Sequence, residues 1–308
     1  MGGLRVIVVG LGVQGQKRRA VAGADVAATV DPVHPEAGFK SVADVPLGRY
    51  DAALLCVPDA PKIELIDYLV GNGKAVLVEK PLVADHQAAL ARLAAKVKKS
   101  GVACYTAYNN RFEPHFVRMR DLIRSGGLGT VYSIRMFYGN GTARLVRNSP
   151  WRDKGPGVLP DLGSHLLDTL NFWLGDIDPD FTLWSAERFE NRSFDHVSFG
   201  AKGRPLIQLE MTLLSWRNHF YADVLAEKGS AHISSLCKWG PSVFTRRTRV
   251  LPSGRPGEDT VTLEQPDPTW ALEYAHFKKL CQAGGANIDT DLWINRALNK
   301  LADEAMKP

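Results

Sequence analysis

The first third of the chain alternates short apolar runs with segments in which apolar residues recur at helical spacing. The apolar runs predict strands, and the periodic segments predict helices. The predicted strands are residues 4–9, 26–30, 52–57, 75–78 and 103–107, and the predicted helices are 14–22, 62–70 and 84–99. Continuous apolar strands separated by helices are typical of a parallel sheet that is covered on both faces. The pattern therefore predicts an N-terminal α/β domain of the doubly wound, Rossmann type.

Beyond about residue 120 the pattern changes to strands that alternate polar and apolar side chains. A helix is predicted at 162–174, after a loop rich in glycine, proline and arginine at 139–160. The predicted strands of this part are residues 130–138, 181–187, 196–201, 206–214, 220–226, 243–249 and 260–263. No helix of comparable length interrupts the later strands, so we expect a large open sheet that is mainly antiparallel. Two helices, at 269–283 and 291–305, are predicted to close the chain.

These patterns predict two domains: a dinucleotide-binding domain over residues 1–120 and an α+β substrate-binding and oligomerisation domain over residues 121–308. The last helix is expected to be able to pack back on the first domain. A chain of 308 residues is long enough for two hydrophobic cores. Its 45% hydrophobic and 23% charged residues are ordinary for a soluble globular protein.

No apolar run approaches the roughly 18 residues of a membrane span. The chain also enters a strand at once, without the basic segment and cleavage site of an export signal. We therefore expect a cytoplasmic protein that has no membrane partner. The net charge of +5 suits an anionic cofactor or a phosphorylated substrate, and it is too diffuse to indicate nucleic acid. The basic clusters at residues 17–19 and 246–249 are expected to be solvated.

The four cysteines form no CxxC pair, which indicates neither a disulfide framework nor a metal site. Cys56 and Cys104 lie in predicted apolar strands. Both are therefore expected to pack as small buried side chains.

A glycine-rich turn links the first predicted strand to the first predicted helix. It reads Gly10-Leu11-Gly12-Val13-Gln14-Gly15, the G-x-G-x-x-G spacing of dinucleotide-binding loops. The first glycine permits the tight turn, the second lets the pyrophosphate approach the backbone, and the third lets helix and strand pack closely. The helix N-terminus then offers free N–H groups and the positive end of its dipole to the phosphates. The residues predicted to bind a dinucleotide here are Gly10, Gly12, Val13, Gln14 and Gly15.

Asp31 ends the second predicted strand, 21 residues after the first glycine of the loop. An acidic residue at this place accepts hydrogen bonds from the adenosine ribose, and its charge repels the 2′-phosphate of NADP. The following Pro32-Val33-His34 supplies no arginine that would bind such a phosphate. We therefore predict NAD rather than NADP as the cofactor, an inference that His34, Arg18 or Arg19 would weaken by approaching the ribose.

Two further motifs carry residues suited to hydride-transfer chemistry. Val78-Glu79-Lys80-Pro81 follows the fourth predicted strand, at the edge where α/β sheets bind ligands, and Asp161–Asp168 opens a helix. Oxidation of a secondary alcohol needs a base for the hydroxyl proton, and His165 is the candidate because histidine titrates close to neutral pH. Asp161 is placed to orient the imidazole, and Lys80 to stabilise developing alkoxide charge.

Each of these residues also has a purely structural interpretation. Asp161 would serve as the N-cap of its helix, His165 as a structural histidine and Lys80 as a plain loop residue. Asp168, on the next turn of the helix, is expected to form a supporting hydrogen bond rather than to take part in the chemistry.

Five motifs in this order resemble the glucose–fructose oxidoreductase / inositol dehydrogenase (Gfo/Idh/MocA) family, over nearly the whole chain. They are the glycine loop, Cys56-Val57-Pro58, Glu79-Lys80-Pro81, the YNNRFEP segment at 108–114 and Asp161–His165. The resemblance implies a Rossmann domain, a C-terminal domain with a large open sheet, and homodimers or homotetramers built by packing those sheets. It also implies nicotinamide-dependent oxidation or reduction of sugars, polyols or sugar nucleotides.

By this resemblance Lys80, Asp161 and His165 match the catalytic residues of the family. The further cofactor contacts that it implies are Cys56, Pro58, Glu79, Lys80 and Asn109. It also implies a cis Lys80–Pro81 bond. The chain departs from the family where Pro61-Lys62 replaces a usual histidine, which puts the contacts of that helix N-terminus in doubt. The chain is also shorter than many members, so loops that cover the substrate are expected to be trimmed.

The substrate side of the site is predicted from Arg111, which follows the fifth strand, and from Trp151 and Arg152. The loop 144–152 is interpreted either as a substrate lid or as a solvated loop. Arginines at 139–152 and 246–249 would suit the diphosphate of a sugar nucleotide, while free sugars and inositols remain open.

Three functions are compatible with these residues. The first is a dehydrogenase or reductase that transfers a hydride between a nicotinamide cofactor and a CH–OH or ketone of a sugar-like substrate. The alternatives are an NAD-dependent glycoside hydrolase of the same family and a non-catalytic dinucleotide-binding sensor. We expect the dehydrogenase, because the complete set of Lys80, Asp161 and His165 counts against a sensor.

Overall fold

The chain forms two compact units. A computed structural model describes residues 3–84, 86–149 and 152–307. The first unit comprises the residues up to Asn109 together with Thr269–Arg296, and the second comprises Asn110–Pro268 together with the residues from Ala297 onward. The division thus falls at residue 109 rather than 120, and the chain returns to the first unit near its C-terminus. No single cut of the chain describes the two units.

The first unit is built on a parallel five-stranded sheet in the order β2-β1-β3-β4-β5. Its strands are β1 Val6–Val9, β2 Val26–Val30, β3 Ala52–Leu55, β4 Ala75–Glu79 and β5 Cys104–Ala107. Its connecting helices are α1 Val13–Ala22, α2 Lys62–Gly71 and α3 Gln87–Ser100. All residues of β1 and β3 are buried, since elements cover both faces of the sheet. The prediction of a doubly wound Rossmann sheet is confirmed.

The second unit is built on an eight-stranded sheet in the order β13-β12-β11-β10-β6-β9-β8-β7. Its strands are β6 Val131–Gly139, β7 Thr182–Glu187, β8 His196–Ala201, β9 Leu206–Thr212, β10 His219–Ala226, β11 Gly229–Ser234, β12 Ser242–Thr248 and β13 Gly257–Leu263. Its helices are α4 Pro114–Arg124, α5 Ala143–Arg147 and α6 Ser164–Leu174. Only β6 and β9 pair in parallel among these strands, so the mainly antiparallel prediction is confirmed.

Helices α4 and α6 pack on one face of this sheet. Phe116 of α4 contacts Trp173 of α6 and Phe220 of β10, with ring centroids 5.4 and 4.9 Å apart. The opposite face carries partly exposed side chains such as Phe137 and Tyr221, which stack at 5.3 Å. Alternation along β10, with buried Phe220 between half-buried or exposed neighbours, therefore places one face inward and one outward.

Two helices, α7 Thr269–Ala283 and α8 Ile288–Met306, close the chain. Within the first unit, the Tyr274 hydroxyl of α7 donates to Asp25 at 2.9 Å. Asp291 of α8 is fully buried and accepts a 2.7 Å hydrogen bond from Thr106 of β5. The C-terminal segment thus completes the core of the Rossmann unit. No helix in the described part of the chain is long and apolar enough to cross a membrane.

Candidate active site

The glycine loop has the backbone geometry that a dinucleotide requires. Gly10 has φ +86°, and a Cβ there would lie 2.4 Å from the carbonyl oxygen of Cys56. A Cβ on Gly15 would lie 1.8 Å from the carbonyl oxygen of Gly10, so only glycine permits this close packing. A Cβ on Gly12 would meet nothing within 4 Å, which leaves open space beside the backbone.

The start of α1 is free to bind an anion. Its N-cap residue, Gly12, makes no side-chain capping bond, and the first turn contains no acidic residue. Val13, the first residue of the helix, is 75% exposed. The N–H groups and the helix dipole are therefore available to phosphate, and the residues present fit a dinucleotide.

Asp31 shapes the glycine loop through its carboxylate. Oδ2 accepts a 2.8 Å hydrogen bond from the Leu11 N–H, and Oδ1 accepts bonds of 2.9 and 2.8 Å from the Val33 and His34 N–H groups. Burial alone would raise the pKa of Asp31, but these backbone donors hold it below its usual value. This carboxylate was expected to bind the ribose, but its three backbone donors leave it little remaining acceptor capacity. The argument for NAD over NADP therefore loses part of its basis.

Arg18 was expected in a solvated cluster, and this prediction is wrong. The side chain is 1% exposed, with Nε 2.6 Å from Glu79 and Nη2 2.6 Å from Glu273 of α7. Its guanidinium also lies 4.2 Å from the ring centre of Trp270. Burial alone would lower the pKa of Arg18, but Glu273 and Glu79 raise it well above its usual value. Arg18 is thus committed to the core, where it cannot bind a 2′-phosphate.

Lys62 binds the Glu79-Lys80-Pro81 motif at Pro81, whereas Arg18 binds it at Glu79. It is 1% exposed, and its ammonium donates at 2.7 Å to both Asp59 and the carbonyl oxygen of Pro81. Burial lowers the pKa of Lys62, against the attraction of Asp59. Lys62 belongs to the Pro61-Lys62 pair at which the chain departs from the family resemblance, and its contacts show what it does here. It ties the start of α2 to the residue that follows Lys80.

Lys80 therefore lies in a segment that is anchored at both neighbours. Glu79, a predicted cofactor contact, is paired with Arg18, and the carbonyl of Pro81 is bound by Lys62. The Lys80–Pro81 bond is cis, as predicted. The segment follows β4 directly, so it lies at the carboxyl edge of the parallel sheet.

The remaining predicted cofactor residues lie at the same edge. Cys56 and Pro58 follow β3, and Pro58 is exposed. Cys56 is only partly buried, so its predicted role as a core side chain holds in part, whereas Cys104 is buried as expected. Asn109 follows β5, is 9% exposed, and donates at 2.9 Å to the hydroxyl of Thr269. Their contacts with a cofactor stay predictions.

In the second unit, His165 lies in the first turn of α6. A turn of π-helix at Leu159–Gly163 precedes it and carries Asp161. Neither helix has a side-chain cap, so the alternative of Asp161 as an N-cap is wrong. The Asp161 side chain is 39% exposed, and Oδ2 lies 4.0 Å from the guanidinium of Arg152. His165 is 6% exposed, and its ring packs 5.7 Å from that of Tyr138.

Tyr138, which packs on His165, belongs to a cluster with Lys238 and Trp239 that was not predicted. Tyr138 is the last residue but one of β6, and its hydroxyl accepts a 3.3 Å hydrogen bond from the ammonium of Lys238. That ammonium lies 4.7 Å from the ring centre of Trp239. No local motif marks these residues, because a strand end and a loop a hundred positions later meet only in the folded unit.

Arg111 has a partner within the second unit. Its guanidinium forms a bidentate ion pair with Asp168, with N···O distances of 2.6 to 3.0 Å. Asp168 is 1% exposed and so forms the supporting hydrogen bonds that were predicted. The pair fixes the turn after β5 to α6, and a substrate contact of Arg111 stays a prediction. Trp151, another predicted substrate residue, lies outside the described residues.

The described residues contain no group of three or more His, Cys, Asp or Glu side chains that would hold a metal ion.

Family models match most of the chain. The model of an oxidoreductase family with an NAD-binding Rossmann fold (GFO/IDH/MocA) matches residues 4–108, and that family's C-terminal domain matches residues 116–232. Inositol 2-dehydrogenase of Rhizobium meliloti (strain 1021) is 29% identical over 136 residues, which are 44% of this chain and 40% of that protein. The trans-1,2-dihydrobenzene-1,2-diol dehydrogenase of Mus musculus is 31% identical over 221 residues, 70% of this chain and 60% of that protein. The chain thus spans less than two thirds of these curated relatives.

Among solved structures, levoglucosan dehydrogenase in complex with NADH superimposes with a TM-score of 0.82. It is 19% identical, and the match covers 99% of this chain and 97% of that one. The likeness shows a shared fold. The two family models, which together match more than half of the chain, establish that it belongs to the Gfo/Idh/MocA family of oxidoreductases.

Proposed function

We propose that the protein is a nicotinamide-dependent dehydrogenase or reductase that acts on a CH–OH or ketone group of a sugar, polyol or sugar nucleotide. The glycine loop carries this proposal: it opens an uncapped helix N-terminus, leaves space at Gly12, and permits no side chain at Gly10 or Gly15. A dinucleotide pyrophosphate fits that geometry.

In this proposal, residues Gly10–Gly15 hold the pyrophosphate, and the segment Cys56–Pro58, Lys80 and Asn109 line the nicotinamide side. The bound nicotinamide supplies the hydride acceptor or donor. Arg18 and Lys62 keep Lys80 in place through its two chain neighbours, so that its ammonium is oriented before substrate arrives.

His165 is the proposed base for the substrate hydroxyl proton. It lies in α6 directly after the turn of π-helix that carries Asp161. Packing against Tyr138 limits the orientations of the ring. Asp161 stabilises the charged form after proton transfer, and Lys80 donates to the substrate oxygen as negative charge develops there.

The substrate class is supported by the surroundings of His165 and by relatives. Tyr138, Lys238 and Trp239 offer aromatic faces and an ammonium donor, which suit a hydroxylated ring. By their names, the similar proteins inositol 2-dehydrogenase and levoglucosan dehydrogenase act on rings of this kind. We propose NAD as the cofactor on the charge of Asp31, although Arg19 comes within 3.8 Å of Glu36 in the segment that follows it.

Assembly and location also remain proposals. We propose a homodimer or homotetramer that packs through the outward face of the eight-stranded sheet, where Tyr132, Trp184 and Leu225 are 45 to 52% exposed. Light scattering on the purified chain tests this, and a monomer at micromolar concentration overturns it. A cytoplasmic location stays a prediction.

Activity is tested by assaying sugars, polyols and UDP- or dTDP-sugars with NAD and with NADP. We expect absorbance at 340 nm to rise with at least one substrate, and to rise faster with NAD than with NADP. Release of free sugar from a glycoside without net NADH would identify the hydrolase instead. Dinucleotide binding without turnover of any of these substrates would favour the sensor.

A further inference from the structure

Loops at one end of the second unit's sheet enclose a polar depression that the proposed hydride chemistry does not use. Two adjoining cavities of about 470 and 530 Å³ share Arg147, Asn148 and Glu190 in their walls. Both are open to solvent and lined mainly by polar side chains, so a ligand there would be held by charge and hydrogen bonds. One wall is formed by α5 with Asn148 and Asp153, and the other by residues 189–192 between β7 and β8.

Two buried carboxylates hold these walls in place. Asp195 is fully buried and accepts hydrogen bonds of 2.6 to 3.0 Å from the three N–H groups of residues 189–191. Asp153 accepts bonds of 2.9 and 3.0 Å from the N–H and hydroxyl of Ser193, which joins one wall to the other. The depression is therefore preorganised for a ligand.

The walls of the depression carry three arginines against two carboxylates, Asp153 and Glu190, so positive charge is in excess. Arg144 and Arg147 lie one turn apart on α5, so they share a side of the helix, and Arg192 lies on the opposite wall. None of the three forms an ion pair with any other residue in the described ranges 3–84, 86–149 and 152–307. The arginine fork binds phosphate oxygens in two-point fashion, so the charge favours a phosphorylated ligand.

The other arginine cluster considered from the sequence is already occupied. Arg246 donates to the carbonyl of Gly127, Arg247 forms an ion pair with Glu258 at 2.9 Å, and Arg249 donates to the carbonyl of Glu227. The structure thus separates the two clusters: residues 246–249 hold strands and turns together, and the arginines of α5 do not.

Two further side chains indicate what else the ligand carries. Asn191 is 7% exposed, and neither atom of its amide group has a hydrogen-bond partner among the described residues. An unsatisfied buried amide is costly, so a ligand that pairs with it after a side-chain rotation gains affinity. Phe189, beside it, is 66% exposed and offers an aromatic surface for stacking.

The depression is close in the chain to the proposed base. Tyr138, which packs on His165, is six residues before Arg144, and Arg152, 4.0 Å from Asp161, immediately precedes Asp153 of the depression. Chain neighbours of the depression thus contact His165 and Asp161.

We propose that this depression binds the nucleoside diphosphate part of a sugar nucleotide, with Arg144 and Arg147 on the diphosphate and Phe189 against the base. The assignment rests on the proposed function and deepens it by naming the substrate class. Glu190 then accepts from the ribose hydroxyls, and the Asn191 amide pairs with the edge of the base.

The test is calorimetric titration of UDP into the full chain saturated with NAD. Saturating NAD keeps UDP out of the dinucleotide site. We expect one UDP to bind per chain, with an affinity that falls as salt is raised, because phosphate contacts are electrostatic. The double change Arg144→Gln/Arg147→Gln should weaken binding at least tenfold, and Arg192→Gln should weaken it severalfold. The matched control, Arg246→Gln/Arg247→Gln, should leave it within about twofold.

Failure to bind UDP once NAD is saturating overturns the assignment, and so does UDP binding that is indifferent to the α5 arginines. Melting temperatures check that each variant is folded, which is expected for exposed side chains. The same experiments can reject the proposed function without rejecting this site, and the reverse. If the chain binds UDP through α5 but transfers no hydride with any sugar nucleotide, the site stands and the enzymatic assignment falls. If the chain turns over free sugars only, the enzymatic assignment stands and this site falls.

Discussion

The two predicted halves of the chemistry are held in place in different ways. Lys80 lies in a segment whose neighbours are bound by two buried cations, Arg18 and Lys62, through charged hydrogen bonds. His165 is held by packing against Tyr138, and the partly exposed Asp161 lies one turn before it in the preceding π-helix. Removing one member of a buried polar network leaves its partners unpaired and costs much stability. A substitution at a packed side chain disturbs mainly its immediate neighbours. Substitutions around Lys80 should therefore lower the stability of the protein, whereas substitutions around His165 should mainly lower its activity.

The largest effects should come from the candidate catalytic residues themselves. His165→Ala should lower kcat by roughly 10²–10⁴-fold, the usual worth of a positioned acid–base group. It should also remove the acidic limb of the oxidation pH profile. Lys80→Ala should be comparably damaging but keep that limb, because lysine is assigned to charge stabilisation. Pre-steady-state hydride transfer is the measurement, since slow product release would mask both effects.

NAD affinity serves as the control for this pair, and it should stay nearly normal in both variants because neither residue belongs to the glycine loop. If His165→Ala transferred hydride at a near-normal rate with an unchanged pH profile, His165 would not be the base. Lys80 would then be the candidate.

Around Lys80, the substitution expected to cost the most stability is at Arg18. Arg18→Met leaves Glu79 and Glu273 buried without their cation, a loss that typically costs about 3–5 kcal/mol of unfolding free energy. Urea denaturation measures it. Arg5→Met, which removes an exposed pair with Asp51, is the control and should leave the midpoint nearly unchanged. Equal shifts for the two variants would contradict the view of Arg18 as a core residue.

The contrast between the halves also explains what the sequence could predict. Strand order, the glycine loop and the edge that carries Lys80 follow from local periodicity and motif spacing. The burial of Arg18 does not, because its partner Glu273 lies more than 250 positions later, on a helix that returns to the first unit. Strand β11 was missed for a related reason: its sequence, GSAHIS, has little strand preference, and pairing with both β10 and β12 makes it a strand.

Lys62 allows a matched test of positioning against plain stability. Lys62→Met removes a buried ammonium and leaves the Pro81 carbonyl without its donor, at an expected cost of about 2–3 kcal/mol. Lys74→Met is the control, since Lys74 donates to the carbonyls of Leu47 and Tyr50 at the other end of β4. Both changes should lower the melting temperature.

Only Lys62→Met should also alter how fast Lys80 reacts with an amine-directed reagent, followed by peptide mapping. This readout does not depend on finding a substrate. An unchanged labelling rate at Lys80 would leave Lys62 with a purely structural role, whereas restoration by Lys62→Arg would support positioning.

The smallest effect is expected at Asp31, where the carboxylate supports the backbone of the loop. Asp31→Asn should cost about 1–2 kcal/mol, because an amide accepts from N–H groups less strongly than a carboxylate does. The pKa of Asp31 is depressed in the folded state, so its contribution is complete above the unfolded value near 4 and is lost as the pH falls through the folded value. The gap in urea midpoint between the wild type and Asp31→Asn should therefore be widest at neutral pH and narrow toward pH 3. The same variant separates the two roles of the residue: loop support predicts weaker binding of NAD and NADP alike, whereas repulsion of a 2′-phosphate predicts a gain for NADP alone. A gap that stayed constant from pH 7 to pH 3 would show that the charge of Asp31 does not hold the loop.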